Sequence, residues 1–229
     1  MTPYSCQPHT VTDTSNAQRQ TRRQLRRELR ARRNAIPPWR RLVLTRRIEA
    51  AVARLPQLRR GAAVGMYSHF GSEVPSTGLR ALALRRGCRL YLPTISNFYQ
   101  YTMDFRRDYG RPMPRNRLGI AEPKGTPILD IRQLDLVVIP MVGFDAAGYR
   151  IGNGAGYYDR MLGARTPERL RAAHASALAG APPAPFWPRP LLVGVAFECQ
   201  RLEHIEAAAH DVPLDAVITE LGLRRARRE

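Results

Sequence analysis

Two segments near the N-terminus place apolar residues at helical spacing. Leu25 and Leu29 stand one turn apart, and a second set follows the Pro37-Pro38 pair. That set recurs at i, i+4, i+7, i+8 and i+11 and consists of Leu44, Ile48, Ala51, Val52 and Leu55. Because a proline pair interrupts a helix, the pattern predicts two amphipathic helices, which would form an N-terminal helical arm.

Beyond residue 61 the pattern changes to short apolar runs separated by helical stretches. Strands are expected at residues 62–67, 89–93, 134–140, 191–197 and 216–219. Helices are expected at residues 77–86, 157–162 and 203–209, and another would be opened by Thr166-Pro167-Glu168. Strands that are apolar on both faces are typical of a buried parallel sheet. The sequence therefore predicts an α/β protein with a three-layer Rossmann-like fold and a mostly parallel central sheet.

The ends of the chain and one internal segment lack such patterns. Residues 1–18 mix polar residues and proline without an apolar period, so a disordered tail is expected there. Residues 19–222 would form a single α/β domain, and residues 223–229 would form a basic C-terminal tail. The proline-rich residues 179–190 are interpreted as an exposed connection.

The location of the protein is expected to be the cytoplasm. No apolar run reaches the length of a membrane helix, and the first twenty residues contain no hydrophobic signal stretch. The three cysteines are widely spaced and show no CxxC pairing, which agrees with a reducing compartment. No membrane partner is expected.

Charge is the most unusual part of the composition. The 229 residues include 37 Lys and Arg against 19 Asp and Glu, a formal net charge of +18, and Lys124 is the only lysine. Residues 19–60 alone hold fifteen arginines, a pattern that favours a nucleic-acid-binding protein. However, these arginines are not interleaved with aromatic residues, and no nucleic-acid-binding signature is present. Since the near absence of lysine indicates a compositional bias, no specific nucleic-acid partner is expected.

The most informative chemistry lies in residues 137–162, where an apolar strand leads to three alternating glycines and then to a helix. Gly152, Gly154 and Gly156 allow backbone N–H groups to approach an anion, and the following helix N-terminus favours negative charge. The pattern predicts a phosphate site, with a plain strand-to-helix turn as the alternative. The spacing fits neither a dinucleotide fingerprint nor a Walker A loop, which argues against a nicotinamide-dependent oxidoreductase. Asp159 can hold Mg²⁺, and Arg160 can clamp phosphate oxygens.

The segment RIGNGAGYYDR, residues 150–160, resembles the R-L-G-x-G-x-G-x-Y-D-R signature of the 5-formyltetrahydrofolate cyclo-ligase family. The preceding PMVGFDAAGY resembles the family's P-x-x-x-F-D-x-x-G segment. The similarity extends from about Arg22 to Glu220 and includes the segments RRQLR (22–26), EVPST (73–77), LGIAEP (118–123) and VGVAF (193–197). Two departures stand out: Arg22 replaces the family's lysine, and Leu118 replaces a usual aromatic residue.

The resemblance implies ATP- and Mg²⁺-dependent closure of 5-formyltetrahydrofolate to 5,10-methenyltetrahydrofolate, with ADP and phosphate released. It implies three catalytic residues, Glu73, Arg150 and Tyr158. The implied ATP site consists of Arg22, Arg23, Gln24, Leu25, Arg26, Arg150, Ile151, Gly152, Asn153, Gly154, Ala155, Gly156, Tyr157 and Tyr158. The partners would be ATP and a folate with one or more glutamates, bound by a monomer.

The metal candidates are Asp159 and Asp211, and some of these residues have plainer interpretations. Asp211 in HDVPLD can equally be an Asx-turn residue. Arg22 and Arg26 stand at i and i+4, where a solvated basic helix face is the ordinary expectation.

Overall fold

The computed structural model describes residues 12–163 and 190–227, which contain four α-helices and ten β-strands. In chain order these are α1 (Thr12–Asn34), α2 (Pro38–Val52), β1 (Ala63–Gly65), α3 (Thr77–Arg85), β2 (Arg89–Asn97), β3 (Thr102–Asp108), β4 (Ile128–Leu129), β5 (Leu136–Pro140), β6 (Gly143–Phe144), β7 (Arg150–Ile151), α4 (Tyr157–Met161), β8 (Leu191–Val195), β9 (Ala216–Thr219) and β10 (Gly222–Arg225). None of the helices within the described residues combines the length and the apolar character that crossing a membrane requires.

Eight strands form one sheet in the order β10-β9-β8-β5-β1-β2-β3-β4. The five consecutive strands β9, β8, β5, β1 and β2 run parallel, and β10, β3 and β4 add antiparallel pairs at the two edges. β6 and β7 form a separate antiparallel hairpin. The mostly parallel sheet confirms the predicted fold class. In such folds ligands bind where the carboxyl ends of the parallel strands meet.

The sheet is covered on both faces, because alternate residues of its central strands point to opposite sides. On one side Val138 of β5 belongs to a cluster with Ile48 of α2. On the other side Val137 belongs to a second cluster, against which Met161 of α4 packs. A strand buried on both faces must be apolar throughout, which explains the continuous hydrophobic run at residues 134–140 and confirms the three-layer arrangement.

The structure shows secondary structure inside both of the segments that were expected to be tails. α1 begins at Thr12, inside the segment expected to be disordered. Once a helix has nucleated, each further residue adds one hydrogen bond, so polar residues can extend it. At the other end, Gly222–Arg225 form β10, with Leu223 opposite Ile218 of β9. Pairing of the main chain orders this segment whatever its side-chain charges.

The prediction of a helix at residues 203–209 is wrong, because the structure has no helix in this segment. The backbone N–H of Ile205 donates to Oδ2 of Asp145 at 3.0 Å, and the Ile205 side chain is buried beside α1. This tertiary anchoring overrides the helical propensity of the local Glu and Ala residues. The helix expected from Thr166-Pro167-Glu168, and residues 179–189 of the expected connection, lie outside the described residues.

The N-terminal helix is anchored to the domain through Leu29. That side chain is fully buried and belongs to a cluster with Val142, Ile151 and Ile205. Val142 precedes β6, and Ile151 lies in β7, so α1 packs directly on the hairpin that leads to the three glycines. The predicted arm is therefore part of the site's framework.

Candidate functional site

A cleft of about 640 Å³ lies at the carboxyl ends of the central parallel strands, a volume suited to a small-molecule ligand. Residues that follow β1, such as Tyr67 and Ser68, form part of its wall, and Pro140 at the end of β5 forms another part. Nine of the predicted site residues line the cleft: Glu73, Arg150, Gly152, Asn153, Ala155, Gly156, Tyr157, Tyr158 and Asp159. The sequence prediction of a site around the alternating glycines therefore corresponds to one continuous cleft.

The connection between β7 and α4, residues 152–156, is called the glycine loop below. Gly154 has φ +110° and Gly156 has φ +67°, backbone conformations that L-residues rarely adopt. Gly156 is also the N-cap residue of α4. The path of the backbone therefore requires glycine at Gly154 and Gly156, and the main chain of Gly152 and Gly156 lines the cleft.

Four arginines follow one face of α1 at positions i, i+4, i+8 and i+11. This arginine row consists of Arg22, Arg26, Arg30 and Arg33, which donate in that order to Oδ2 of Asp211, the carbonyl of Gly152, Oδ1 of Asn153 and Oγ of Ser72. The four distances are 2.8, 2.9, 3.0 and 2.9 Å. Through these hydrogen bonds, one face of α1 contacts both the glycine loop and the wall of the cleft.

Two members of the row sit in an environment that disfavours positive charge. Burial lowers the pKa of Arg26, and the charges of Arg22 and Arg30 lower it further. Burial also lowers the pKa of Arg33, partly offset by Glu73. Guanidinium groups stay protonated in proteins, so the row is a concentration of positive charge. An anion bound beside it would relieve the mutual repulsion.

Within residues 22–26, only Arg26 bonds to the glycine loop. Arg23 is exposed, Gln24 donates to Glu28 at 3.0 Å, and Leu25 packs in the cluster around Leu29. The helical period places Arg23 and Gln24 away from the loop, so the expectation that all five residues contact the nucleotide is not supported by the positions of Arg23, Gln24 and Leu25.

Glu73 is joined directly to the glycine loop. The residue is only 6% exposed. Oε2 accepts a hydrogen bond from the backbone N–H of Phe70, and Oε1 accepts one from Nδ2 of Asn153, both at 3.0 Å. A buried carboxylate of this kind is a strong acceptor for a polar group of a ligand.

The two tyrosines at the start of α4 both line the cleft. Burial raises the pKa of Tyr158, and the negative charge of Glu73 raises it further. Burial also raises the pKa of Tyr157, with a smaller contribution from Tyr101. Both phenols therefore stay protonated at neutral pH and can donate hydrogen bonds.

Arg150 and Asp159 both line the cleft and form an ion pair. Nη2 of Arg150 donates to Oδ1 of Asp159 at 2.6 Å, and Nη1 donates to the carbonyl of Val212. The Arg150 side chain is 4% exposed, whereas that of Asp159 is 23% exposed. These bonds fix the Asp159 carboxylate relative to Arg150 and to the backbone of Val212.

The second metal candidate, Asp211, is occupied by other partners. Its Oδ2 accepts hydrogen bonds from Arg22 at 2.8 Å and from the backbone N–H of Ala208 at 2.9 Å. The second bond comes from a residue three positions earlier, whereas in an Asx-turn the side chain bonds to the backbone two residues further on. Asp211 therefore anchors the first arginine of the row.

The described residues could hold Mg²⁺ only together with the phosphates of a bound nucleotide. Within residues 12–163 and 190–227 no group of three His, Cys, Asp or Glu side chains could hold a metal ion. Mg²⁺ is commonly held by one or two carboxylates together with substrate phosphates and water. The bonds of Asp159 to Arg150 and Val212 both use Oδ1, which leaves Oδ2 for a cation beside a nucleotide.

Sequence reasoning missed several residues that line the cleft, among them Arg30, Tyr67 and Met103. The helical spacing from Arg26 could have identified Arg30. Glu122 also lines the cleft and is buried, with Oε1 accepting from the backbone N–H of Ile95 at 3.1 Å. It lies in the LGIAEP segment, and Leu118 of the same segment also lines the cleft.

Comparisons with known proteins agree on one family. Residues 18–220 match the model of the 5-formyltetrahydrofolate cyclo-ligase family. The chain is 28% identical over 198 residues to 5-formyltetrahydrofolate cyclo-ligase of Haemophilus influenzae, covering 85% of this chain and 95% of the relative. The corresponding relative from Escherichia coli K12 is 27% identical over 194 residues, covering 83% and 96% of the two chains.

Solved structures show the same likeness. The NMR structure of 5,10-methenyltetrahydrofolate synthetase from Aquifex aeolicus superposes with a TM-score of 0.69 at 27% identity, covering 91% of this chain and 94% of the other. The structure of the synthetase from Mycoplasma pneumoniae has a TM-score of 0.62 at 20% identity, covers 87% and 98% of the two chains, and shows a shared fold.

Proposed function

The chain belongs to the 5-formyltetrahydrofolate cyclo-ligase family, and on this premise we propose that it closes 5-formyltetrahydrofolate to 5,10-methenyltetrahydrofolate with ATP and Mg²⁺. The observation that carries the proposal is the 3.0 Å hydrogen bond between Nδ2 of Asn153 and Oε1 of Glu73. This bond joins the glycine loop, which suits a phosphate, to a buried carboxylate, which suits a polar heterocycle. Both therefore face one cleft, as transfer between a nucleotide and a folate requires.

The reaction needs ATP because the formyl oxygen is a poor leaving group on an amide-like carbon. The γ-phosphoryl group passes from ATP to that oxygen, and ADP leaves. N10 of the folate then attacks the formyl carbon and loses its proton. The carbon–oxygen bond breaks, the oxygen departs with phosphate, and the methenyl bridge remains. Such chemistry depends on positioning and on neutralising phosphate charge.

The residues of this chain supply those two functions from different walls of the cleft. We assign the backbone of the glycine loop and Arg26 to the phosphates, because Arg26 already lies against Gly152. Glu73 is assigned to the pterin or formyl end of the folate. Tyr158, whose phenol stays protonated, can donate a hydrogen bond to the oxygen that receives the phosphoryl group.

Asp159 is the residue assigned to Mg²⁺, which when bound with the nucleotide neutralises phosphate charge. Arg150 orients the carboxylate through its 2.6 Å ion pair. Asp211 is assigned to the positioning of Arg22 rather than to direct metal binding, because both partners of its Oδ2 belong to the protein.

The direct test is to incubate the purified protein with 5-formyltetrahydrofolate, ATP and Mg²⁺ and to follow the near-ultraviolet absorbance of the methenyl product. We expect a rise that requires all three components. Failure to observe any ATP-dependent rise with a folded sample would reject the proposal.

A matched pair of variants tests the assignment of Asp159. Asp159→Ala removes a carboxylate that pairs with Arg150 in the cleft, whereas Asp130→Ala removes one that pairs with Arg132 at 2.6 Å elsewhere. Asp130 does not line the cleft. We expect turnover to be lost in Asp159→Ala and kept in Asp130→Ala. Equal turnover in the two variants would contradict the role of Asp159.

A further inference from the structure

The turn between β2 and β3 contains an unusual backbone conformation. Tyr101 has φ +53° and is the only non-glycine residue with positive φ in the part of the chain that the structure describes. A bulky side chain in the left-handed region is strained, and such strain persists only where surrounding contacts hold it. The contacts of Tyr101 therefore indicate what the conformation serves.

The Tyr101 ring contacts two residues of α4, Tyr157 and Arg160, which lie one helical turn apart. Its centroid lies 5.9 Å from that of Tyr157, with an interplanar angle of 61°, an edge-to-face arrangement. On its other contact, Cζ of Arg160 lies 4.9 Å from the Tyr101 centroid, within the range of a cation–π interaction. Arg160 in turn donates a hydrogen bond to the carbonyl of Ala155, inside the glycine loop.

These contacts connect the hairpin turn to the proposed nucleotide site without placing Tyr101 in it. Tyr157 and Ala155 line the cleft, whereas Tyr101 does not. The short helix α4, with five residues and a left-handed glycine at its N-cap, has no side-chain cap of its own to fix its start. The Tyr101 ring of the hairpin turn packs against Tyr157 at the start of this helix.

We propose that Tyr101 is a positioning residue for the nucleotide: its ring fixes Tyr157 and Arg160, and through them the glycine loop, in the conformation that receives the phosphates. The inference rests on the proposed function, since it assumes that the loop binds ATP. It adds a residue of the β2–β3 turn to the determinants of ATP affinity. The hydroxyl group of Tyr101 has no part in it, because both contacts are made by the ring.

The experiment is a calorimetric titration of the full-length protein with a non-hydrolysable ATP analogue and Mg²⁺, without folate. One edge-to-face contact and one cation–π contact together correspond to about a 5- to 60-fold change in a dissociation constant. We therefore expect Tyr101→Ala to raise the Kd for the analogue by this factor. Tyr101→Phe keeps the ring and should bind within about twofold of the wild type.

Tyr99 offers a matched control in the same turn. The residue is 90% exposed, and its backbone N–H, which donates to Oδ1 of Asn97, is kept when the side chain is replaced. Tyr99→Ala is expected to bind the analogue as the wild type does. Tyr101→Gly separates positioning from stability, because glycine removes the backbone strain: the variant should unfold no more readily than Tyr101→Ala and still bind weakly.

Two results would overturn the inference while leaving the proposed function intact. One is equal Kd values for Tyr101→Ala and Tyr99→Ala when the wild type binds the analogue. The other is a loss of binding in Tyr101→Phe as large as in Tyr101→Ala, which would assign the effect to the hydroxyl group. Failure of the folded wild type to bind the analogue would overturn the ATP assignment and this inference together.

Discussion

Replacing Gly152 by alanine tests directly whether a phosphate lies against the glycine loop. A Cβ atom built on Gly152 meets no described atom within 4 Å, and its φ lies outside the left-handed region. Where the backbone is compatible, Gly→Ala stabilises a protein by about 0.4–1 kcal/mol through the unfolded state. We therefore expect Gly152→Ala to keep or slightly raise the free energy of unfolding.

The affinity for ATP, in contrast, should fall in Gly152→Ala. The added methyl group occupies space beside the backbone where a phosphate would approach the loop. If it removes one charge-assisted hydrogen bond, the cost is about 1.5–3 kcal/mol, which is about a 10- to 150-fold weaker affinity for ATP. Gly152→Ala would thus be a protein of normal stability with impaired nucleotide binding.

The assays are urea unfolding and calorimetric titration with a non-hydrolysable ATP analogue. Gly154→Ala serves for comparison, because φ +110° strains any side chain there: it should lose both stability, by about 1–2 kcal/mol, and affinity. Unchanged affinity in a normally stable Gly152→Ala would refute the reasoning, since it would show that no phosphate contacts the loop at this residue.

Three further predictions concern charged groups. Asp159→Ala should lower the free energy of unfolding by about 1–3 kcal/mol in urea titrations, because the buried Arg150 loses its carboxylate partner; wild-type stability would contradict the ion pair. Arg26→Ala should mainly raise the KM for ATP in steady-state assays, and an unchanged KM would count against its phosphate role. Burial raises the pKa of Glu49 above 4.5, so its ionised form destabilises the fold. Glu49→Gln should therefore have a larger free energy of unfolding than the wild type at pH 7, and this difference should shrink as the pH falls through the raised pKa. A difference that does not depend on pH would contradict the assignment to Glu49.

The central fold could be predicted because its signals are local. The apolar runs that form β5, β8 and β9 must be buried on both faces, and Gly87, with φ +71°, follows α3 as its sequence indicated. By contrast, β3 carries charges at alternating and adjacent positions, in the segment TMDFRRD. Its antiparallel pairing with β2 depends on a partner strand, which a local pattern does not reveal.

The candidate site also contains one feature that could be predicted from the local sequence and one that could not. The glycine loop was predictable, because its backbone conformation demands glycine at Gly154 and Gly156. The partner of Asp211 was not, because Arg22 lies 189 residues away and only the folded chain brings the two together. The resemblance to a family located both residues in a site, but it did not show that they neutralise each other.

The arginine row fixes the distances between the points at which α1 contacts the site. Arg22 and Arg33 are eleven residues apart, so at 1.5 Å per residue the helix spans about 16 Å between their Cα atoms. A single inserted or deleted residue between them would turn one end by about 100° relative to the other and would separate the contacts on either side of the change. Substitutions along α1 can be absorbed one at a time, whereas a change of length there cannot. As the sequence diverges, we therefore expect the number of residues between these positions to change less readily than the residue type at each position.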